Sequence, residues 1–293
     1  MKLKTIHIKY ILIPVLLIVV TDSVIFSQGT DTTKISRPEL FIGINVGSSR
    51  THINNRGIQS VSELSSVIRN SFSGSFESGY SFSKSIGLSI GLGFDSYKTD
   101  LSLNTYANKF NSIDSENESY ERRIAGTDIK EIQTISFLNL PLCIDFQLPV
   151  SSRFGFFLQT GISFSIPMSK KYNSSGTFTY TGFYPAYNAL LQDLPAYGFV
   201  SNTEIKSDGS LELKTFNIDG MANAGFQYLI RNKIRIALGI HYNRSLSNIS
   251  KYSSPDSFQL SSDINQINSM MGGSSKVTAQ SIGLRLSFRY YLK

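Results

Sequence analysis

Several residue types are scarce in this chain of 293 residues, and some of these scarcities exclude classes of protein. There is one Cys, which excludes a disulfide-stapled fold and a thiolate zinc cluster. Tryptophan is absent, and charged residues make up 17% of the chain, below the roughly 25% of an ordinary soluble domain. A disordered chain would carry more charge and fewer aromatics than the 15 Tyr and 20 Phe found here.

Long apolar runs are also missing after the first 30 residues. None approaches the roughly 18 residues that a membrane-spanning helix needs, which excludes an α-helical membrane protein. The basic residues form no contiguous run, although the formal net charge is +7. Because nucleic-acid binding needs a basic patch or stripe, we expect no nucleic-acid partner.

Residues 1–28 are typical of a secretory signal peptide. Lys2, Lys4 and Lys9 precede an apolar stretch at 11–20, and the small Ser27 follows it. This stretch suits a signal h-region and is too short to span a bilayer as a helix. We expect Sec-type export with cleavage near Ser27, then a short periplasmic segment at 29–37 and one folded domain at 38–293. An uncleaved membrane anchor is the alternative.

Apolar residues alternate with small or polar residues in eight segments of this domain. Successive side chains of a strand point to opposite faces, so each segment has one apolar face and one polar or small face. In the clearest segment, Gly and Ser separate the apolar members Ile86, Leu88, Ile90, Leu92 and Phe94. The pattern predicts strands at 40–47, 72–82, 85–97, 138–147, 154–168, 216–227, 234–243 and 282–292.

Short and long connections alternate strictly between these strands. The short ones, at 82–85, 149–153 and 230–233, have the length of hairpin turns. The long ones lie at 48–67, 98–130, 169–211 and 247–276. A soluble β-sandwich has no reason to segregate its loops in this way. The predicted fold is therefore all-β, an eight-stranded antiparallel transmembrane β-barrel with short periplasmic turns and long extracellular loops.

The polar face carries charges that we expect to point into the lumen, while the apolar face meets lipid. A soluble lipocalin-like barrel, the alternative, would place its large apolar residues on the inner face. Side chains just fill the interior of an eight-stranded barrel, so we expect a plugged lumen. Its polar network is interpreted as buried salt bridges that fix strand register, with a gated ion or proton pathway as the alternative. The predicted lumen residues are Glu77, Asp95, Asp145, Asp219, Arg235, His241, Arg285 and Arg289.

Two of these strands resemble a known family. Residues 137–146, FLNLPLCIDF, and 154–162, FGFFLQTGI, are similar to the YLEIPLLLKY…FYLEAGPYVG core of an outer-membrane β-barrel domain common in Bacteroidetes, often called PorT-like. Residues 224–228, 236–248 and 282–288 continue the resemblance, which covers 38–293. It implies a small OmpA-type barrel in a Gram-negative cell envelope. Since the family includes barrels associated with gliding and type IX secretion, it also implies an envelope or secretion protein as partner.

The chain departs from this family pattern at its end, Tyr-Leu-Lys, where barrel-insertion signals usually finish on an aromatic residue. The other expected partners are outer-membrane lipid, periplasmic chaperones and the barrel-insertion machinery.

Catalytic and metal-binding patterns are weak. Some eight-stranded outer-membrane barrels modify lipid A with a His-x-Ser pair, but here His241 is followed by Asn243, which lacks the hydroxyl nucleophile. No Gly-x-Ser-x-Gly elbow occurs, and three scattered His with one Cys make no metal site. We expect a non-enzymatic barrel without a cofactor. A lipid-A-modifying enzyme and a narrow channel are the alternatives.

The third long connection is rich in aromatic residues, which often mark binding surfaces. Its candidate binding residues are Tyr172, Tyr180, Phe183, Tyr184, Tyr187 and Tyr197. The alternative is that these aromatics cover the barrel mouth or lie at the membrane interface. Short helices are predicted at 63–68, 186–194 and 263–271.

Overall fold

The computed structural model describes residues 39–56, 64–230, 233–252 and 258–292. The predicted signal peptide, its cleavage site and segment 29–37 lie outside these residues and stay predictions. Within the described ranges, no helix is long and apolar enough to cross a membrane.

In the described part of the chain, ten antiparallel strands form one sheet, and eight of them close into a ring. The strands are β1 (Glu39–Arg56), β2 (Leu64–Ser81), β3 (Ile86–Ile113), β4 (Ser119–Pro149), β5 (Phe154–Tyr184), β6 (Ala189–Leu191), β7 (Thr203–Ser210), β8 (Asn217–Ile230), β9 (Ile234–Ser245) and β10 (Lys276–Leu292). The ring runs β1–β2–β3–β4–β5–β8–β9–β10 and returns to β1, while β6 and β7 pair with β5 outside it. The predicted all-β antiparallel fold is confirmed.

The outer face of the ring carries a band of exposed apolar side chains. On β10, Ile282, Leu284, Leu286 and Phe288 are exposed, whereas Arg285 and Ser287 between them are buried inside the ring. On β3 the exposed apolar residues cover 86–94. At about 3.4 Å per residue and a tilt of about 40°, that segment spans roughly 21 Å, close to the ~25 Å apolar band of an outer-membrane barrel.

Three strands continue far beyond this band. β3 extends to Ile113, β4 begins at Ser119, and β5 extends to Tyr184. β6 pairs with 182–184 of β5, and β7 pairs with 171–178. We call residues 98–136 and 169–210 the arm. The predicted long connections at 98–130 and 169–211 are therefore wrong in extent, because most of these residues belong to paired strands. The connections that remain inside them are the turn 114–118 and segments around β6 and β7.

The predicted short helices are also wrong where the structure describes them. β2 begins at Leu64, so 64–68 is strand. Residues 186–194 contain the end of a 3-10 turn, Pro185–Tyr187, followed by β6. Residues 263–271 contain a bridge between Asp263 and Gln266 and the start of another 3-10 turn, Met270–Gly273. Ser, Asn and Asp are frequent in these segments, and their side chains bond the backbone in turns in preference to helices.

The apolar core occupies the arm and the end of the ring beneath it. One cluster fills the ring at the end opposite the tight turns, with residues from five ring strands and the nearby loops: Ile53, Tyr97, Ile135, Phe137, Tyr172, Leu211, Leu213, Ile249, Met271, Val277 and Ala279. A second cluster lies between the arm and segment 258–273, which supplies its last three members: Leu101, Leu103, Tyr106, Ile124, Ile129, Phe178, Tyr180, Ile205, Leu260, Ile267 and Met270. The arm and this segment thus share an apolar core.

Candidate functional site

A buried ion-pair cluster crosses the interior of the ring. Arg289 Nε donates to Oε1 of Glu77 at 2.5 Å, and Arg289 Nη2 donates to Oδ1 of Asp145 at 2.7 Å. Ser89 Oγ donates to Oδ2 of Asp145 at 2.6 Å, and Gln159 Nε2 lies 3.3 Å from Oε2 of Glu77. Hydrogen bonds from neutral side chains thus supplement the charge pairing that burial requires. The structure therefore joins three of the eight predicted lumen residues in one network.

The other predicted lumen residues lie in separate places. Asp95 accepts a hydrogen bond from Asn139 at 2.6 Å and lines a small cavity together with His241 and Arg285. Asp219 accepts a hydrogen bond from the Ser165 hydroxyl. Arg235 stacks over the Tyr291 ring with its guanidinium carbon 4.7 Å from the ring centroid. Among the described residues, neither Arg235 nor Arg285 forms a salt bridge.

The space left between these side chains is small. The cavity beside His241 measures about 20 Å³, and a neighbouring one beside Glu77 measures about 10 Å³. A cavity of 10–15 Å³ holds about one water molecule. His241 is buried, and its neighbour Asn243 donates to the Tyr97 hydroxyl at 3.2 Å. Neither cavity can admit an acyl chain to the histidine.

The predicted aromatic surface is divided by the structure. Tyr172, Tyr180 and Tyr184 are buried, so the expectation that they form an exposed surface is wrong. They lie on β5 with their rings turned into the arm, because β5 continues through the segment predicted as loop. Tyr187 and Tyr197, in contrast, are 65% and 44% exposed. Phe183 is half-buried beneath Arg123, whose guanidinium carbon lies 4.4 Å from its ring centroid.

The two exposed tyrosines belong to the end of the arm, which we call the tip: the turn 114–118 and the segment 185–199. The Asp114 carboxylate accepts the backbone N–H of Glu118 at 2.9 Å and the hydroxyl of Tyr184 at 2.9 Å. These hydrogen bonds, that of the Glu118 N–H first, hold the pKa of Asp114 below its usual range. Tyr187 donates to Oε1 of Glu118 at 2.7 Å. The two parts of the tip are therefore bonded to each other.

Aromatic packing supports the same arrangement from below. The Tyr120 ring stacks on Tyr184 with centroids 5.2 Å apart and meets Phe199 edge-on at 5.6 Å. Arg122 Nη2 donates to the carbonyl of Gly198 at 3.1 Å. Segment 185–199 is thereby packed onto the strands of the arm.

Exposed apolar side chains and carboxylates occur together at the tip. The exposed apolar residues are Tyr187, Leu190, Leu194 and Tyr197, together with Ile113 directly before the turn 114–118. The carboxylates on the same turns are Asp114, Glu116, Glu118 and Asp193. Apolar area rimmed by charge is a common feature of protein-binding surfaces.

Glu131 is a structural residue that the sequence reasoning missed. It is buried in the arm, and its carboxylate accepts hydrogen bonds from Gln133 at 2.6 Å and from Ser174, Ser269 and the Met270 N–H at 2.8 Å each. Burial raises the pKa of Glu131, although these hydrogen bonds oppose the shift. The residue fastens segment 269–271 to β4 and β5. Glu131 alternates along β4 with Ile129, Gln133 and Ile135 on the same inner face, and this alternation is the sequence signal that points to its burial.

Comparison with known proteins places the chain in a family. Residues 26–251 match the family described as outer membrane protein beta-barrel domain. No curated protein sequence matches the chain.

Three solved structures are similar over most of the chain. OprG from Pseudomonas aeruginosa is 10% identical with a TM-score of 0.38, covering 87% of this chain and 95% of its own. Neisserial surface protein A is 9% identical with a TM-score of 0.34, covering 87% and 99%. The attachment invasion locus protein Ail of Yersinia pestis, in complex with the heparin analogue sucrose octasulfate, is 10% identical with a TM-score of 0.29, covering 86% and 99%.

The family match spans most of the chain, and the described strands close into a ring with an apolar outer band. The chain therefore belongs to the outer membrane protein β-barrel domain family, and it is a protein of the outer membrane.

Proposed function

We propose that this protein is a non-enzymatic, eight-stranded transmembrane barrel with a plugged lumen, and that its arm is an extracellular binding element. The observation that carries the proposal is the tip, where exposed Tyr187 and Tyr197 lie on a packed base bordered by carboxylates. In outer-membrane barrels the short turns are periplasmic and the long connections extracellular. The turns 82–85 and 150–153 lie at the end opposite the arm, which supports this orientation.

The interior supports a binding role over the two alternatives. Arg289 bridges Glu77 and Asp145 across the lumen, and the apolar cluster around Tyr97 and Met271 fills the end beneath the arm. A narrow channel would need a continuous polar path. A lipid-A-modifying enzyme would need substrate access to His241, which cavities of about 10 and 20 Å³ do not provide.

The resemblance to PorT-like barrels supports a more specific version, in which the partner at the tip is an envelope or secretion protein connected with gliding or type IX secretion. The protein would reach the membrane after Sec-type export and cleavage near Ser27, with periplasmic chaperones and the barrel-insertion machinery as transient partners.

Site-specific photocrosslinking in intact cells tests the binding role. A benzoylphenylalanine at position 187 or 197 is expected to give a discrete protein adduct at the cell surface. The matched control is the same probe at Thr105, which is exposed on β3 below the tip. Equal adducts at all three positions, or none at 187 and 197, would contradict a binding surface at the tip.

Planar-bilayer recording tests the plugged lumen separately. We expect conductance at background for the refolded protein, because the two cavities beside the ion pairs are water-sized. Stable single-channel steps would overturn the plugged lumen and favour the channel.

A further inference from the structure

Basic side chains surround the edge of the apolar band on the side of the arm. They are exposed and point outward, away from the lumen network. These basic residues belong to five strands of the ring and to the segment before β8: Arg50, Arg69, Lys98, Lys171, Lys214 and Arg244. We call this set the basic belt.

Strand register makes the members of the belt lateral neighbours. Lys98 pairs with Thr134, and Thr134 pairs in turn with Lys171, so the two lysines lie two strands apart in one row of paired residues. At about 4.8 Å between strands, their Cα atoms are roughly 10 Å apart. Arg50 pairs with Asn70, which adjoins Arg69. The belt therefore continues from strand to strand.

Lys98 and Lys171 of the belt each follow closely on an exposed apolar residue of the same strand. Lys98 lies four residues beyond Phe94, and Lys171 lies three beyond Met168. One strand thus offers both an apolar contact and a cation at the membrane surface. A phosphorylated lipid has the matching arrangement of acyl chains below and a phosphate above.

The charge of the belt is only partly neutralised by protein. Arg69 pairs with Asp100, but Lys98 and Lys171 form no salt bridge within the described part of the chain. The carboxylates of the tip lie at the far end of the arm, at 114–118 and 193. The belt therefore has cationic groups available for an external anion.

A groove continues from the belt along the outer face of the arm. It has a volume of about 640 Å³, and its lining combines apolar Val67 and Ile132 with Lys130 and Lys206 and with the carboxylate residues Asp100, Glu131 and Asp208. Ile132 lies two residues from Thr134, the residue that pairs with Lys98 and Lys171, and it pairs with Asp100. A space of this size next to the cations can accept a sugar headgroup attached to the phosphate.

From these observations we propose that the basic belt binds the phosphate groups of the outer-leaflet glycolipid, with Lys98 and Lys171 as its central pair and the groove as the headgroup site. This inference rests on the proposed barrel orientation, which places the arm on the outer side of the membrane. A soluble polyanion would share the phosphate chemistry but would need no adjoining apolar band.

Native mass spectrometry of the full-length protein in phosphatidylcholine nanodiscs tests the proposal. The probes are bisphosphorylated lipid A and the same lipid after enzymatic removal of its phosphates. We expect the native protein to bind lipid A. The double variant Lys98→Gln with Lys171→Gln should bind it roughly 30-fold more weakly, and either substitution alone should weaken binding by about tenfold or less. The matched control, Lys84→Gln with Arg153→Gln, changes two exposed cations on the opposite turns and should leave binding unchanged.

Equal binding of the phosphate-free lipid, or equal loss in the control variant, would overturn the proposal. Soluble dextran sulfate is tested in detergent without phospholipid. If it competes with lipid A and its binding requires the same lysines, the belt is assigned to a soluble polyanion instead. The heat-induced gel shift of each variant is recorded in parallel. If the native protein shows no shift, the proposed barrel fails, whereas a normal shift without lipid A binding overturns only the inference about the belt.

Discussion

Glu77 and Arg289 meet inside the ring across a strand that separates them. Gly43 of β1 is the register partner of both residues, with Arg289 on one side and Glu77 on the other. A Cβ atom at Gly43 would lie 3.0 Å from Arg289 Cγ and 3.0 Å from Oε1 of Glu77. The missing side chain at Gly43 therefore lets the two charged groups reach each other over β1.

Removing Arg289 is expected to destabilise the barrel severely. Arg289→Met leaves the carboxylates of Glu77 and Asp145 buried without their cation, at a cost of about 3–5 kcal/mol. Urea unfolding in phospholipid vesicles measures the free energy of unfolding. The triple variant that adds Glu77→Gln and Asp145→Asn should recover part of the loss, and a triple variant no more stable than Arg289→Met would contradict the charge-pairing account.

Charged substitutions on the outer face should depend on depth. Leu286 lies in the middle of the apolar band of β10, and Ile282 lies at its edge. Leu286→Arg is expected to cost about 2–4 kcal/mol and Ile282→Arg about 0–1 kcal/mol, because arginine at the edge can reach the interface. The same vesicle unfolding assay compares them, and equal costs would argue against a bilayer centred on Leu286.

Gly182 supports the tip by leaving room for an aromatic ring. A Cβ atom there would lie 2.3 Å from Cζ of Phe199. Gly182→Ala should displace Phe199 and destabilise its packing by about 1–3 kcal/mol. Hydrogen exchange of residues 195–200 is expected to accelerate. Gly74→Ala serves as the control, since its Cβ would meet no atom closer than 3.9 Å.

The attachment of segment 269–271 to the arm should be most stable at low pH. The pKa of Glu131 is raised above its ordinary value of 4.5 chiefly by burial, so the folded state binds this proton more tightly than the unfolded state. The contribution to stability is fully present below pH 4.5 and is lost as the pH rises through the raised pKa. A fluorophore at Asn265→Cys reports release of the segment between pH 4 and pH 8.

Glu131→Gln is the matched variant for this pH experiment. It keeps the size of the side chain and removes the titration, so the signal should become flat over the same range. A pH response that is unchanged in Glu131→Gln would assign the titration to another group.

The sequence predicts the membrane-spanning strands well because two constraints act on them together. In 86–94 every outward residue meets lipid and every inward residue is small, so the alternation is clean. Along the arm the outward side chains meet water, and Thr, Asn and Lys there weaken the contrast. Register shifts at Thr127/Lys130 and Ser136/Phe137 also change the phase between β4 and β5. The sequence pattern consequently predicts loops where the arm consists of paired strands.

For the candidate site, the sequence predicts which face a residue lies on but not which residues it contacts. Alternation assigns Asp145 and Arg289 to the same inner face, but which residues meet depends on strand register and on the position of Gly43. Tyr172 and Tyr187 have the same composition around them, yet one is buried and the other exposed, because β5 continues past Tyr172 and ends before Tyr187.

The pairing of β1 with β10 has a consequence for the order of folding. β3 and β4 are joined by the turn 114–118 and can zip together from it, at a small loop-closure entropy. The β1–β10 seam joins strands from opposite ends of the domain, from Leu40 with Leu292 to Arg56 with Lys276. Contacts between such distant residues form slowly. We therefore expect the hairpin of β3 and β4, which carries the arm, to cross the membrane while β1 and β10 are still unpaired. The β1–β10 seam then closes last.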